Sequence, residues 1–394
     1  MKQHIFLASP HMSEEGYEKE FVKEAFDTNW VAPLGKNVTE FENEMIAKLG
    51  AKSAVALASG TAAIHLALKT AGVEQGDFVF CQSLTFSATA NPIVYEKAVP
   101  VFIDSDESTW NMSPIALQKA FDKYEKLGKL PKAVIVVHLY GICAHIEEIA
   151  EICKKYNVPL IEDAAESLGT AYKGKYTGTF GDYGIISFNG NKIITTSGGG
   201  MLLFNTADAK ERAAKALFWA TQARDAARWY QHSEIGYNYR MSNVVAGIGR
   251  GQLKVLDQRI EKKRYIYEYY KKHLGRLKGV SLMPQGEEER SNCWLTAIQL
   301  SDDCKVKPID IMLTLEEDDV ESRPVWKPLH LQPFFGECDF ISDVQELYIT
   351  DEEMGADNSI AGSIFRKGVC MPSDSKMTDE DLERICGIVK ELWV

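Results

Sequence analysis

The chain has 394 residues, of which 45% are hydrophobic and 25% charged, with a formal net charge of −12. These values are those of an ordinary globular protein and exclude disordered or collagen-like classes, while the length exceeds one typical core and predicts two lobes. The negative charge lies in short runs (Glu14–Glu20, Gly286–Arg290, Leu315–Asp319) rather than in one tail; it argues against nucleic acid and anionic lipid as partners and favours a small ligand in a locally basic or amide-lined pocket.

At the N-terminus the apolar run Ile5–Ala8 is too short for a signal peptide, and no window approaches the roughly 18 apolar residues of a membrane span, so a cytoplasmic protein is expected. Short β-rich runs then alternate with helical patterns. Ser53–Ser59 precedes Gly60–Gly72, Asp77–Cys81 precedes Phe86–Ala98, and Val99–Asp104 precedes Ser113–Tyr124. Ala133–Gly141 followed by His145–Tyr156, and then Pro159–Glu166, continue the series. Such alternation predicts crossover connections and a mostly parallel sheet with helices on both faces. Runs apolar at nearly every position, such as Ala133–Val137, suit strands buried on both sides. Gly184–Asn189 and Gly200–Phe204 have no long helix between them, so at least one antiparallel pairing is expected.

A helical pattern from Ser242 to Leu274 reads as a connector between lobes, with the boundary placed so that residues 1–255 form a large domain and 256–394 a smaller C-terminal α/β domain. In the latter, Cys293–Leu300 reads as a strand, and Lys307–Asp319 and Asp379–Leu392 as helices. The eight cysteines show no C-x-x-C pair and no Cys/His cluster, so no metal site and no disulfide framework is expected.

Three features carry chemistry. Ser59–Leu68 follows a strand and opens a helix, which turns the amides of Gly60, Thr61 and Ala62 outward at the positive helix end, a seat for phosphate; a plain cap by Ser59 or Thr61 fits the same residues. Asp163 ends the apolar run of Pro159–Glu166, where a parallel strand delivers its side chain to the carboxyl edge of the sheet, the usual ligand side; a helix N-cap is the alternative. Lys192 is a solitary amine in SFNGNKIITTSGGG (Ser187–Gly200), and a solvated surface lysine is its plain alternative. This segment lacks the frame of a P-loop, and its glycines lead into a strand rather than a helix, which excludes a dinucleotide fingerprint. Here glycine is expected to let backbone pass close to a planar ligand or a neighbouring subunit. Phosphate seat, carboxylate and amine together are what pyridoxal phosphate requires: an anion site, a partner that keeps the ring nitrogen protonated, and an amine for a Schiff base.

The motifs SGTAAIHLAL (from Ser59), TFSATANPIVY (from Thr85), IEDAAESLGT (from Ile161), GTFGDYGIISFNGNKIITTSGGGMLLF (from Gly178) and IGYNYRMSNVVAGIG (from Ile235) occur in the order found in the DegT/DnrJ/EryC1/StrS family of pyridoxal-phosphate-dependent sugar aminotransferases, and the chain resembles that family over nearly its whole length. The resemblance implies fold type I, aspartate aminotransferase-like: a large three-layer αβα domain with a mostly parallel sheet and a smaller C-terminal α/β domain. It implies pyridoxal 5′-phosphate linked to Lys192, with Asp163 on the pyridine nitrogen, Ser187 and the amides of Gly60 and Thr61 on the phosphate, and Phe86 stacked on the ring. Asn238 would reach the phosphate site of a neighbouring subunit in a homodimer. Glu166 stands where many members carry glutamine, near the cofactor's phenolic oxygen, where two negative charges repel unless one carries a proton. For a sugar nucleotide, Trp30, Arg323, Trp326, Lys327 and His330 are the candidates, since guanidinium and ammonium suit a diphosphate and indole suits the face of a sugar or base. His138 and His145 are read as structural.

The reaction so implied moves the amino group of L-glutamate to a keto carbon, C4, of a nucleotide-linked 4-keto-6-deoxy sugar; the form of Ser187–Gly200 is most similar to enzymes acting on UDP-2-acetamido-4-keto-6-deoxy-glucose in the bacillosamine pathway. Sugar dehydratases of the same family carry histidine at the lysine position, whereas this chain has Lys192. A non-catalytic, cofactor-binding regulator is the alternative from another class, and no basic patch or DNA-binding helix pair supports it.

Overall fold

The computed structural model describes residues 3–394. Helices α1 (Tyr17–Asp27) and α2 (Lys36–Leu49) precede strand β1 (Ser53–Leu57), from which α3 (Gly60–Thr70), β2 (Phe78–Gln82), α4 (Asn91–Tyr95), β3 (Val99–Ile103), α5 (Pro114–Lys126), β4 (Ala133–Val137), α6 (Ile146–Lys155) and β5 (Leu160–Asp163) follow in alternation. These strands join Tyr183–Ser187, Gly200–Phe204 and Phe340–Ile341 in an eight-stranded sheet, and helix α7 (Ala209–Ala220) follows Gly200–Phe204. The expected parallel pairings hold for β2 with β3 and β4, for β4 with β5, and for β5 with Tyr183–Ser187. Gly200–Phe204 runs antiparallel to both of its neighbours, β1 and Tyr183–Ser187, as the missing crossover helix requires. Every residue of β4 is buried, because helices cover both faces of the sheet.

The stretch read as one connector is two helices, α8 (Asn243–Leu253) and α9 (Leu256–His273), separated at Lys254–Val255. Glycines at 247, 249 and 251 line the face of α8 that packs on the first two helices. A β-carbon at Gly249 would lie 2.6 Å from the Phe41 ring, and one at Gly251 would meet the backbone of Glu18. That close approach ties α8 to α1 and α2, and leaves α9 alone to lead onward.

Beyond α9 an antiparallel sheet takes the order Val280–Leu282, Thr296–Leu300, Gly368–Met371, Arg323–Pro324. Helices α10 (Pro308–Glu317), α11 (Ile360–Lys367) and α12 (Asp379–Glu391) accompany it. The chain crosses between the two sheets more than once: Ile5 bridges Val320, and Phe340–Ile341 pairs in parallel with β3. No described helix is long and apolar enough to cross a membrane.

Candidate active site

A cavity of about 410 Å³ opens at the carboxyl edge of the large sheet, lined by Gly60, Thr61, Phe86, Thr89, Asp163, Glu166, Ser187, Lys192, Trp294 and Trp326 among others. The apolar run of β5 is buried throughout and ends at Asp163, so the strand itself carries the carboxylate to this edge. No helix begins there, contrary to the N-cap alternative. The chain turns after Ala164, and Asp163 Oδ1 accepts the Ala165 amide at 3.2 Å while Oδ2 accepts the Thr89 hydroxyl at 2.7 Å. Burial raises the Asp163 carboxyl above the usual carboxylate range, and the Thr89 hydrogen bond acts against that rise.

At the opposite wall, Ser59 caps α3: its Oγ accepts the Ala62 amide at 3.0 Å and its carbonyl the Ala63 amide, which leaves the amides of Gly60 and Thr61 at the open helix end. A β-carbon at Gly60 would sit 3.2 Å from Ser187 Cβ, so glycine keeps the space between helix end and serine clear. Gly200 does different work from that expected. A β-carbon there would overlap the backbone of Ser59 and Gly60, so the glycine lets the antiparallel strand pass the capped end of α3 rather than a ligand or a second subunit.

Lys192 enters the cavity between a carboxylate and an aromatic face. Its Nζ lies 3.2 Å from Glu166 Oε1 and 4.0 Å from the centre of the Trp294 ring, and its side chain is only 13% exposed. Glu166 Oε2 accepts the amide of Tyr140 at 2.8 Å. Burial raises the Glu166 carboxyl, and the Lys192 ammonium opposes that. The surface alternative for Lys192 is therefore replaced by an enclosed ion pair with Glu166.

Pyridoxal phosphate makes three demands, and these residues meet each of them: unpaired helix-end amides with a serine hydroxyl for an anion, a buried carboxylate for a protonated ring nitrogen, and an amine inside the same cavity. Phe86, 57% exposed at the mouth, supplies an aromatic face 5.5 Å from the Trp326 ring centre.

The other proposed substrate residues are placed differently. Trp326 lines the cavity, whereas Arg323 opens onto a separate groove with His4, Ile309 and Glu316. Lys327 donates to the Met354 carbonyl at 2.7 Å. His330 is buried against the Phe340 ring, with Nδ1 2.6 Å from Ser83 Oγ and Nε2 3.0 Å from Asp357 Oδ2; both nitrogens are engaged, so its side chain works as a brace. Trp30 lies exposed outside the cavity lining. Asn238 is exposed and bridges Thr221 through its backbone, also outside the cavity of its own chain. Thr89, Tyr140 and Trp294 are functional neighbours that sequence reasoning missed. Thr89 lay within a quoted motif and Trp294 within a predicted strand, but neither carries a spacing signal that points to Asp163 or Lys192.

His138 is fully buried, with Nε2 2.9 Å from Glu162 Oε2 and Nδ1 accepting the Ala144 amide, in keeping with a structural role. All eight thiols are free, and among the described residues no His, Cys, Asp and Glu cluster is placed to hold a metal ion.

The family of DegT/DnrJ/EryC1/StrS aminotransferases matches residues 12–390 of the chain. The protein belongs to that family. Among relatives, EpsN of Bacillus subtilis (strain 168) is 53% identical over 393 residues, covering 100% of this chain and 97% of that one. The GDP-perosamine synthase of Escherichia coli O157:H7 is 35% identical, with 96% of each chain covered. Among solved structures, the aminotransferase TlmJ from Streptoalloteichus hindustanus superposes with a TM-score of 0.85 at 27% identity, covering 98% of both chains. DegT-family membership makes the protein an aminotransferase of fold type I, in agreement with the large mixed sheet.

Proposed function

We propose that the protein transfers the amino group of L-glutamate to the keto carbon, C4, of a nucleotide-linked 4-keto-6-deoxy sugar such as UDP-2-acetamido-4-keto-6-deoxy-glucose. Its cofactor is pyridoxal 5′-phosphate. The observation that carries the reading is the enclosed Lys192 amine in one cavity with the strand-end carboxylate of Asp163 and the open amides of α3. When bound, the cofactor supplies an aldehyde to carry nitrogen and a ring that draws electrons from the adjacent carbon. Gly60, Thr61 and Ser187 hold its phosphate, Phe86 covers its ring, and Asp163 keeps the ring nitrogen protonated. Lys192 Nζ then moves the proton at the donor's α-carbon and, in the second half-reaction, at the sugar carbon. Glu166 offers Lys192 a carboxylate at 3.2 Å, which holds the amine against the reacting face. Trp326 lines the same cavity on the side where an acceptor sugar would lie.

A homodimer with shared sites is part of this proposal. Asn238 is exposed and lies outside the lining of its own cavity, and Trp229, Tyr230 and Ile235 close by in sequence are exposed apolar side chains, as a segment buried by a second copy would show. The identity of the nucleotide is proposed from the form of Ser187–Gly200; the GDP-perosamine synthase relative makes a GDP-linked sugar the competing acceptor.

Visible absorption of purified protein, with Lys192→Ala beside wild type, tests the first half-reaction. A yellow chromophore that bleaches with glutamate in wild type and is altered in the variant is expected. Mass spectrometry of products from UDP- and GDP-linked keto sugars with ¹⁵N-glutamate tests the second, and a deoxygenated sugar without label would overturn amination.

A further inference from the structure

Trp294 lines the cavity without a part in binding phosphate or ring. Trp294 is buried, and its indole plane faces the Lys192 ammonium at 4.0 Å, with Nε1 donating to the Asn191 carbonyl at 2.8 Å. An indole face attracts a cation through the negative charge density above the ring, and does so most strongly where water is excluded. On its other side the same ammonium meets Glu166 at 3.2 Å.

Two strained backbone positions aim these groups. Tyr140 (φ 54°) and Cys293 (φ 48°) are both bulkier than the glycine that left-handed backbone favours. The turn at Tyr140 points its amide at Glu166 Oε2, 2.8 Å away. The turn at Cys293 follows Asn292, whose side chain donates to the Glu166 carbonyl at 2.9 Å and accepts the Trp294 amide at 2.9 Å. Asn292 thus links the residue that bears the carboxylate to the residue that bears the indole. Such strain persists only where the surroundings over-determine it, and here what it fixes is the distance between two groups that share one cation.

We propose that Trp294 and Glu166 form a seat for the Lys192 ammonium whenever that amine is released from the cofactor, so that Trp294 is a positioning residue that favours the amine-loaded form of the enzyme. The seat rests on the aminotransferase reading above. It predicts a thermodynamic consequence that a merely structural tryptophan does not have: removing the indole destabilises the released lysine and displaces the equilibrium with the donor toward the linked, yellow form.

The test is a titration of the holoenzyme with mixtures of glutamate and 2-oxoglutarate, read as loss of yellow absorbance, for wild type, Trp294→Phe and Trp294→Met, with thermal melting recorded for each. The glutamate to 2-oxoglutarate ratio at half-bleaching is expected to rise about five-fold in Trp294→Met and about two-fold in Trp294→Phe, since a benzene face holds a cation more weakly than indole. An unchanged ratio in a folded Trp294→Met overturns the seat, as does a Phe variant displaced as far as the Met variant. Should the methionine variant not fold, the phenylalanine variant decides alone, and no shift in it overturns the proposal. Wild-type protein that glutamate fails to bleach overturns instead the aminotransferase reading beneath it.

Discussion

Asp163 shows how one hydroxyl sets the charge of a buried carboxylate. Among the described residues its one side-chain donor is Thr89, at 2.7 Å, in a site where burial pushes the carboxyl toward its neutral form. A hydrogen bond to a charged group contributes about 1.5–3 kcal/mol. Thr89→Val keeps the volume and removes the donor, so the carboxylate becomes a weaker partner for a protonated ring nitrogen. Cofactor retention through dialysis is expected to fall about ten-fold or more, with the melting temperature of cofactor-free protein changed much less; equal retention would show that Asp163 does not depend on this bond. Asp163 and Lys192 were legible in the sequence because a strand end and a lone amine are local patterns. Glu166 was legible only as a doubtful substitution for glutamine: its pairing with Lys192 depends on a turn after Ala164 that the pattern read as a helix start. Arg323 and His330 read as sugar-nucleotide candidates from one motif, yet their backbone positions direct one to another groove and lock the other between Ser83 and Asp357.

At the scale of elements, the glycine run after Lys192 divides by function. A β-carbon at Gly198 meets nothing within 4 Å, whereas one at Gly200 would overlap the Ser59–Gly60 backbone that caps α3. Gly198→Ala, whose methyl enters open space at the cavity wall, is expected to leave stability unchanged, while Gly200→Ala costs about 1–3 kcal/mol; chemical denaturation of the pair checks this, and equal stability of the two variants would contradict it. Helix α9 carries a second consequence. Its Lys263 is fully buried and hydrogen-bonded to the Ser373 carbonyl, and burial pushes its ammonium down to about 8, against the attraction of Asp374. A lysine depressed in the folded state binds fewer protons there than in the unfolded chain between about pH 8 and its ordinary value of 10.5. Native stability therefore rises with pH across that window, and the ammonium's full cost is present below it. Measured against Lys263→Met, the wild type is expected to gain about 2–3 kcal/mol from pH 8 to 10.5, and parallel denaturation profiles for the two proteins would refute the burial argument.

For the whole molecule, the shared-site proposal separates the residues of one active site between two chains. Lys192 lies in the cavity of its own chain and Asn238 outside it. Lys192→Ala and Asn238→Ala homodimers should each be inactive or weak. Unfolding and refolding them together gives mixed dimers in which one site carries both lesions and the other none, so about a quarter of wild-type activity should return. No recovery would place Asn238 outside the neighbouring site.

The sequence alone determined the alternation of strands and helices, the antiparallel break before Gly200, and the capped, amide-bearing start of α3, because each follows from periodicity and capping within a few residues. The motifs that carry the family resemblance also singled out Lys192 and Asp163, which line one cavity. Only the tertiary structure decided that Trp294, more than a hundred positions beyond Lys192, turns its ring onto that amine, that Thr89 serves Asp163, and that Gly200 spares room for Ser59 rather than for a ligand. Those contacts depend on how distant segments pack, and the direction of a side chain across such a junction is set by the backbone angles of residues such as Tyr140 and Cys293, which no spacing in the sequence records.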